Sequence, residues 1–75
     1  MTAKDKKIIE DSEAQGIPIF VLTAKDFISV STICAYLDFC RAEQCPSEHI
    51  SEIVARIHDF RDWQKDNPDK VKLPD

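Results

Sequence analysis

Glycine is almost absent from this sequence, because Gly16 is the only one among 75 residues. A Gly-rich phosphate-binding loop is therefore excluded. The chain also lacks a run of about 18 apolar residues, the minimum for a membrane-spanning helix. Its charged N-terminus has no apolar segment behind it, so we expect no signal peptide. These absences predict a cytoplasmic protein with reduced thiols and no membrane partner.

Positive charge is also scarce. The sequence contains ten Lys and Arg residues and 14 Asp and Glu residues, which gives a net charge of −4. Because nucleic-acid binders usually carry a basic face, this balance disfavours DNA or RNA as a partner. The 43% apolar and 32% charged residues predict a single small globular domain over 1–75, with mobile ends at 1–7 and 74–75. Domains of this size often need a partner to become stable.

One long helix is predicted at 23–44. Thr23 suits the N-cap and Asp26 the third helical position, where its charge complements the helix dipole. Leu22 and Phe27 are spaced as a hydrophobic staple across that start. The helix carries two apolar stripes, whereas a single neighbouring helix covers only about 100° of its circumference. We therefore expect part of this helix to lack cover within the chain.

A second helix is predicted at 46–65, after a break at Cys45 and Pro46, with Cys45 or Ser47 as its cap. Asn67-Pro68 ends it. The short connection predicts a mainly α fold built on an antiparallel two-helix hairpin, which places Trp63 near Leu22 and Phe27.

The remaining segments are less regular. Residues 2–15 favour a short N-terminal helix or a frayed arm that ends at Gly16. The apolar run 17–22 suits a strand or an extended segment, with Pro18 at its start or on an edge. It could pair with the tail at 71–73, with Val71 and Leu73 facing inward.

Chemistry-bearing residues are few. Cys40, Cys45 and His49 are weak candidates for metal binding, because their spacing differs from that of structural zinc sites. Cys45 near a helix N-terminus could instead be a reactive thiol, and buried cysteines also serve as small apolar side chains. His49 and His58 are too far apart on one helix to form a joint site. We expect no enzyme activity, no cofactor and no small-molecule substrate.

Association with protein is the favoured function. Ile28, Tyr36, Phe39 and Trp63 are the candidate interaction residues, most simply in a homodimer through the 23–44 helix. For Trp63, however, closing the protein's own core is the favoured alternative. A second hypothesis is an accessory subunit of a larger complex.

The layout of Ile17 to Lys65, a strand followed by two helices, resembles that of the ribbon-helix-helix DNA-binding repressors. That resemblance implies a strand-paired dimer that inserts its ribbon into the major groove. The sequence departs from this class in three ways: the run 17–22 has no polar side chains to contact bases, the helices are longer, and the net charge is negative.

Overall fold

The computed structural model describes residues 1–74, and its secondary structure is helical. Three α-helices follow one another: α1 (Ala3–Gln15), α2 (Ser29–Ala42) and α3 (Ser47–Asp66). A short 3₁₀ helix, Pro68–Lys70, comes after α3. No strand forms within the described residues. The predicted mainly α fold is confirmed.

Helices α2 and α3 form the predicted hairpin and enclose the core. Four apolar side chains are buried there, two from each helix: Leu37, Cys40, Ile53 and Ile57. Six partly buried side chains surround them: Val30, Ile33, Cys34, Cys45, Ile50 and Val54. The core is small because only one face of each helix contributes to it.

The turn between the helices has the hydrogen bonds of a Schellman motif. Gln44 has a φ of 57°, in the left-handed region. Its N–H donates to the Arg41 carbonyl over 3.1 Å, and the Cys45 N–H donates to the Cys40 carbonyl over 2.9 Å. Pro46 occupies the N-cap position of α3 and makes no side-chain capping bond, so neither predicted cap is used.

The predicted start of the first hairpin helix at Thr23 is wrong by six residues. The segment before Ser29 forms turns, in which the Asp26 N–H donates to the Thr23 carbonyl. The Phe27 N–H donates to the Lys72 carbonyl over 2.9 Å. The tail thus takes a donor that a helical turn starting at Thr23 would need. Phe27 is 65% exposed, so the expected staple does not form.

The tail does not pair with 17–22 as suggested. Lys72 instead forms an isolated parallel bridge with Asp26. The Lys72 N–H donates to the Lys25 carbonyl over 3.0 Å, which completes the bridge. Val71 is half-buried, whereas Leu73 is exposed. The 3₁₀ turn after α3 thus leads the tail to the residues just before α2.

Helix α1 is well formed but packs loosely. Thr2 and Asp5 make a complete capping box at its start, and Gly16 caps its end with a φ of 69°. No residue of α1 is buried. Lys4 bonds Glu52 of α3 over 2.9 Å, and both side chains are largely exposed. Residues 3–7, which were predicted to be a mobile end, lie in this helix. Mobility of the chain ends stays a prediction, and Asp75 lies outside the described residues.

Candidate interaction surface

The outer face of α2 is apolar and open to solvent. Three of the four predicted interaction residues lie there: Phe39 is 71% exposed, Tyr36 52% and Ile28 48%. Ile28, Thr32, Ala35 and Phe39 follow helical spacing, and Tyr36 flanks them. These five residues are called the α2 face below.

The α2 face is exposed because α3 covers the other side of the helix. Leu37 and Cys40 point toward α3, while Phe39 lies roughly 160° around the helix from Leu37 at 100° per residue. Helix α1 lies against α3 near Glu52 and Ile53, not over Phe39. The described residues therefore provide no helix to cover this face.

Small and hydroxylated side chains alternate with large ones on the α2 face. Thr32 is held inward because its hydroxyl donates to the Ile28 carbonyl over 3.0 Å. Ala35 adds no bulk, so another helix could approach closely between Phe39 and Ile28. No ionised side chain occurs from Phe27 to Leu37. Desolvating this surface therefore requires no buried charge.

A polar cluster lies at the edge of the face, where α2 meets the start of α3. The Tyr36 hydroxyl and His49 Nε2 are 3.1 Å apart, with the rings edge to face at 87°. Hydrogen bonding to Cys40, followed by desolvation, raises the pKa of the Tyr36 hydroxyl. The hydroxyl is therefore neutral at physiological pH, and the Tyr36 side chain remains half exposed.

The thiols are not gathered into a metal-binding cluster within the described residues. Among residues 1–74, no group of three or more His, Cys, Asp or Glu side chains could hold a metal ion. Cys40 is buried and Cys45 half-buried, and both are free thiols. Hydrogen bonding to Cys40 raises the pKa of Cys45, the opposite of what a reactive thiol requires. Cys40 belongs to the core cluster, and Cys45 packs against it beside the turn.

Trp63, the fourth predicted interaction residue, lies away from the α2 face. It is half-buried near the end of α3, where its carbonyl accepts hydrogen bonds from the Asn67 backbone and side chain. The neighbouring Gln64 side chain donates to the Ala24 carbonyl over 3.0 Å. The end of α3 therefore lies beside the start of α2, as the antiparallel arrangement predicts.

Two features escaped the sequence analysis. Ser29 is fully buried, and its hydroxyl donates to the Asp26 carbonyl over 2.7 Å. Gln64 and the Lys72 backbone converge on the same turn. No capping residue in the sequence marks the helix start at Ser29, because Ile28 occupies the N-cap position and makes no side-chain capping bond.

Comparison with protein-family models, curated proteins and solved structures found no match. No helix of the described residues is long and apolar enough to cross a membrane. The run 17–22 contains no basic or polar side chain, and it forms no ribbon within the chain. DNA binding, like the accessory-subunit role, stays a prediction.

Proposed function

We propose that this chain is a non-enzymatic protein-interaction module that forms a homodimer through the α2 face. The observation that supports the proposal most strongly is the amount of surface that the isolated chain exposes. Its accessible area is 6063 Å² for a mass of 8.6 kDa. A folded monomer of that mass exposes only about 4,700 Å².

The excess surface is large enough for an interface. It amounts to roughly 1,400 Å², compared with about 800 Å² buried per partner in a standard protein complex. The radius of gyration of 13.6 Å also exceeds the value of about 11 Å expected for 75 residues. Both quantities describe a chain that is more open than a self-sufficient domain.

A second copy of the chain is the partner that best fits the α2 face. Each copy carries a net charge of −4, so two copies repel each other on average. The α2 face is uncharged, which makes it a place where they can approach. In a two-fold dimer the same face is used by both copies. Phe39 of one copy would then pack against the gap that Thr32 and Ala35 leave in the other.

The proposal is tested by sedimentation equilibrium of the wild type and the Phe39→Ser variant. Phe39 is the most exposed aromatic residue on the face, and the substitution removes its contact in both copies. We expect the dimer dissociation constant to rise at least tenfold, which corresponds to about 1.4 kcal/mol of binding free energy. Asp38→Ser is the matched control, because Asp38 is exposed on α2 but lies outside the face.

Equal dimer affinity in the Phe39→Ser and Asp38→Ser variants would contradict use of the α2 face. A wild type that stays monomeric at several hundred micromolar would contradict the homodimer itself. Circular dichroism of each variant should show that the helices remain, because Phe39 is not part of the core cluster.

A further inference from the structure

The segment 17–22 belongs to no helix or strand, and its residues 18–22 have no hydrogen-bonding partner. Helix α1 carries the chain about 15 Å from Asp5 to Gln15, yet residues 19–22 lie back beside Met1 and Asp5. Six or seven residues span at most about 20–25 Å, so this return is compatible with an extended segment. None of residues 18–22 makes a backbone or side-chain hydrogen bond within the described chain.

The ends of this segment are already engaged. The Ile17 N–H donates to the Ser12 carbonyl over 2.8 Å, which completes the cap of α1. The Thr23 carbonyl accepts the Asp26 N–H in the turn before α2. Pro18 has no N–H to donate. These three constraints decide which backbone groups remain for a partner strand.

In a β-strand the N–H and C=O groups of alternate residues point to the same edge. Because Pro18 cannot donate, the edge that it shares with Phe20 and Leu22 is unsuited to pairing. The other edge presents Ile19 and Val21, each with a free N–H and a free C=O. Because Ile19 and Val21 lie on either side of Phe20, two antiparallel copies of this edge can hydrogen-bond to each other.

We propose that residues 17–22 of two copies pair as a two-stranded antiparallel ribbon whose two-fold axis passes beside Phe20. In this register Ile19 of each copy faces Val21 of the other, and the two pairs make four interchain hydrogen bonds. Phe20 faces its own counterpart as a non-hydrogen-bonded pair, in which the side chains approach most closely. This inference rests on the self-association proposed above but uses a different surface.

Exposure and charge favour a second copy as the occupant. Phe20 is 85% exposed, the highest value of any large apolar residue in the chain, and the ribbon covers it with an identical ring. Residues 14–24 contain no ionised side chain. Two chains of net charge −4 can therefore meet along this segment without charge repulsion at the contact.

The register makes Phe20→Cys a diagnostic variant. The two Cα atoms at this position would be about 4.5 Å apart, within the range that a disulfide requires. Oxidised glutathione, reduced to two glutathione thiols, would join two chains through residue 20. We expect most of the variant to run as a disulfide-linked dimer on a non-reducing gel at about ten micromolar protein.

Thr23→Cys is the matched control, because two copies of residue 23 would be about 20 Å apart across the axis. Wild-type protein controls for Cys34, Cys40 and Cys45. Equal cross-linking of the Thr23→Cys and Phe20→Cys variants, or none at residue 20, would overturn the proposed register.

Amide hydrogen exchange of the wild type provides a second measurement, which does not depend on a substitution. At concentrations where the dimer dominates, the amides of Ile19 and Val21 should exchange at least tenfold more slowly than those of Phe20 and Leu22. Uniform fast exchange over 19–22 would overturn the ribbon. A purely monomeric wild type would do the same.

The outcomes separate this inference from the proposed function. A dimer that Phe39→Ser weakens, without alternating amide protection or cross-linking at residue 20, retains the α2 face and removes the ribbon. A dimer with both ribbon signatures that Phe39→Ser leaves unchanged retains the ribbon and removes the α2 face.

Discussion

The α2–α3 hairpin and the N-terminal arm, residues 1–22, use their apolar side chains in opposite ways. The hairpin buries Leu37, Cys40, Ile53 and Ile57 in one cluster. The arm contains Ile8, Ile17, Ile19 and Phe20, and every one of them is at least half exposed. The difference is one of neighbours, because each hairpin helix faces the other whereas α1 faces a polar side of α3 at Lys4 and Glu52. Apolar content alone does not make a core.

The comparison is sharpest for a single large-to-small substitution in each region. Leu37→Ala should lower the free energy of unfolding by about 2–5 kcal/mol, because it leaves a cavity in the core. Ile8→Ala should change it by no more than about 0.5 kcal/mol, since Ile8 is 51% exposed. Urea denaturation followed by circular dichroism measures both. Similar losses for the two variants would mean that the arm packs as tightly as the hairpin.

The polar network that closes the hairpin is expected to have the next largest effect. The Gln64 side chain donates to the Ala24 carbonyl and lies 3.5 Å from the Ser29 hydroxyl oxygen. Gln64→Ala should cost about 1–3 kcal/mol, because partly buried acceptors lose their donor. Lys65→Ala, on the exposed side of the same turn, is the control and should cost less than about 0.5 kcal/mol. Thermal unfolding monitored at 222 nm would show the difference, and equal melting temperatures would contradict it.

Capping provides a third contrast, since Thr2 and Thr23 look equally suited to it in the sequence. Only Thr2 caps a helix, with its hydroxyl accepting the Asp5 N–H over 3.1 Å. Thr2→Ala should destabilise α1 by about 1 kcal/mol. The loss should appear as faster amide exchange in residues 6–15 and leave α3 unchanged. Thr23→Ala should leave amide exchange in both helices unchanged. Equal amide exchange rates in the two variants would contradict this assignment.

Titration of the same cap should have the smallest effect. Hydrogen bonds from the Thr2 side chain and backbone hold the pKa of Asp5 below its ordinary value of 3.8. The unfolded state therefore binds the proton more readily, and the stabilisation is complete above pH 4 and is lost as the pH falls through the folded-state pKa. Chemical shifts of α1 should report fraying below about pH 4, ahead of any change in the hairpin. Asp5→Asn should abolish that pH dependence, and fraying that persists in this variant would assign it to another carboxyl group.

Much of the fold was predictable because its signals are local. The apolar stripe Ile50, Ile53, Val54 and Ile57 predicts that α3 is a helix, and the breaks at Pro46 and Asn67-Pro68 place it to within one residue of its observed bounds. Gly16 marks the end of α1, where a left-handed conformation is needed. Exposure of Ile28, Tyr36 and Phe39 also follows from periodicity, since one neighbouring helix cannot cover two stripes.

The start of α2 was not predictable from local signals. A helix start at Thr23 is favoured by the local sequence, through Thr23, Asp26 and the Leu22–Phe27 pair. The Phe27 N–H instead donates to the carbonyl of Lys72, which lies almost fifty residues later in the chain. Ser29 and Gln64 had no distinguishing pattern before the chain brought them together. Such residues are identified only by their partners.

The sequence by itself determined that this protein is helical, where two of its helices lie, and that α2 carries more apolar surface than one helix can cover. These properties depend on residues within a few turns of each other, through periodicity, caps and charge. The tertiary structure alone decided where α2 begins, and that 17–22 forms no strand pair within the chain. Those outcomes depend on competition for a few backbone donors and acceptors between distant segments, and a local pattern carries no information about which segment wins.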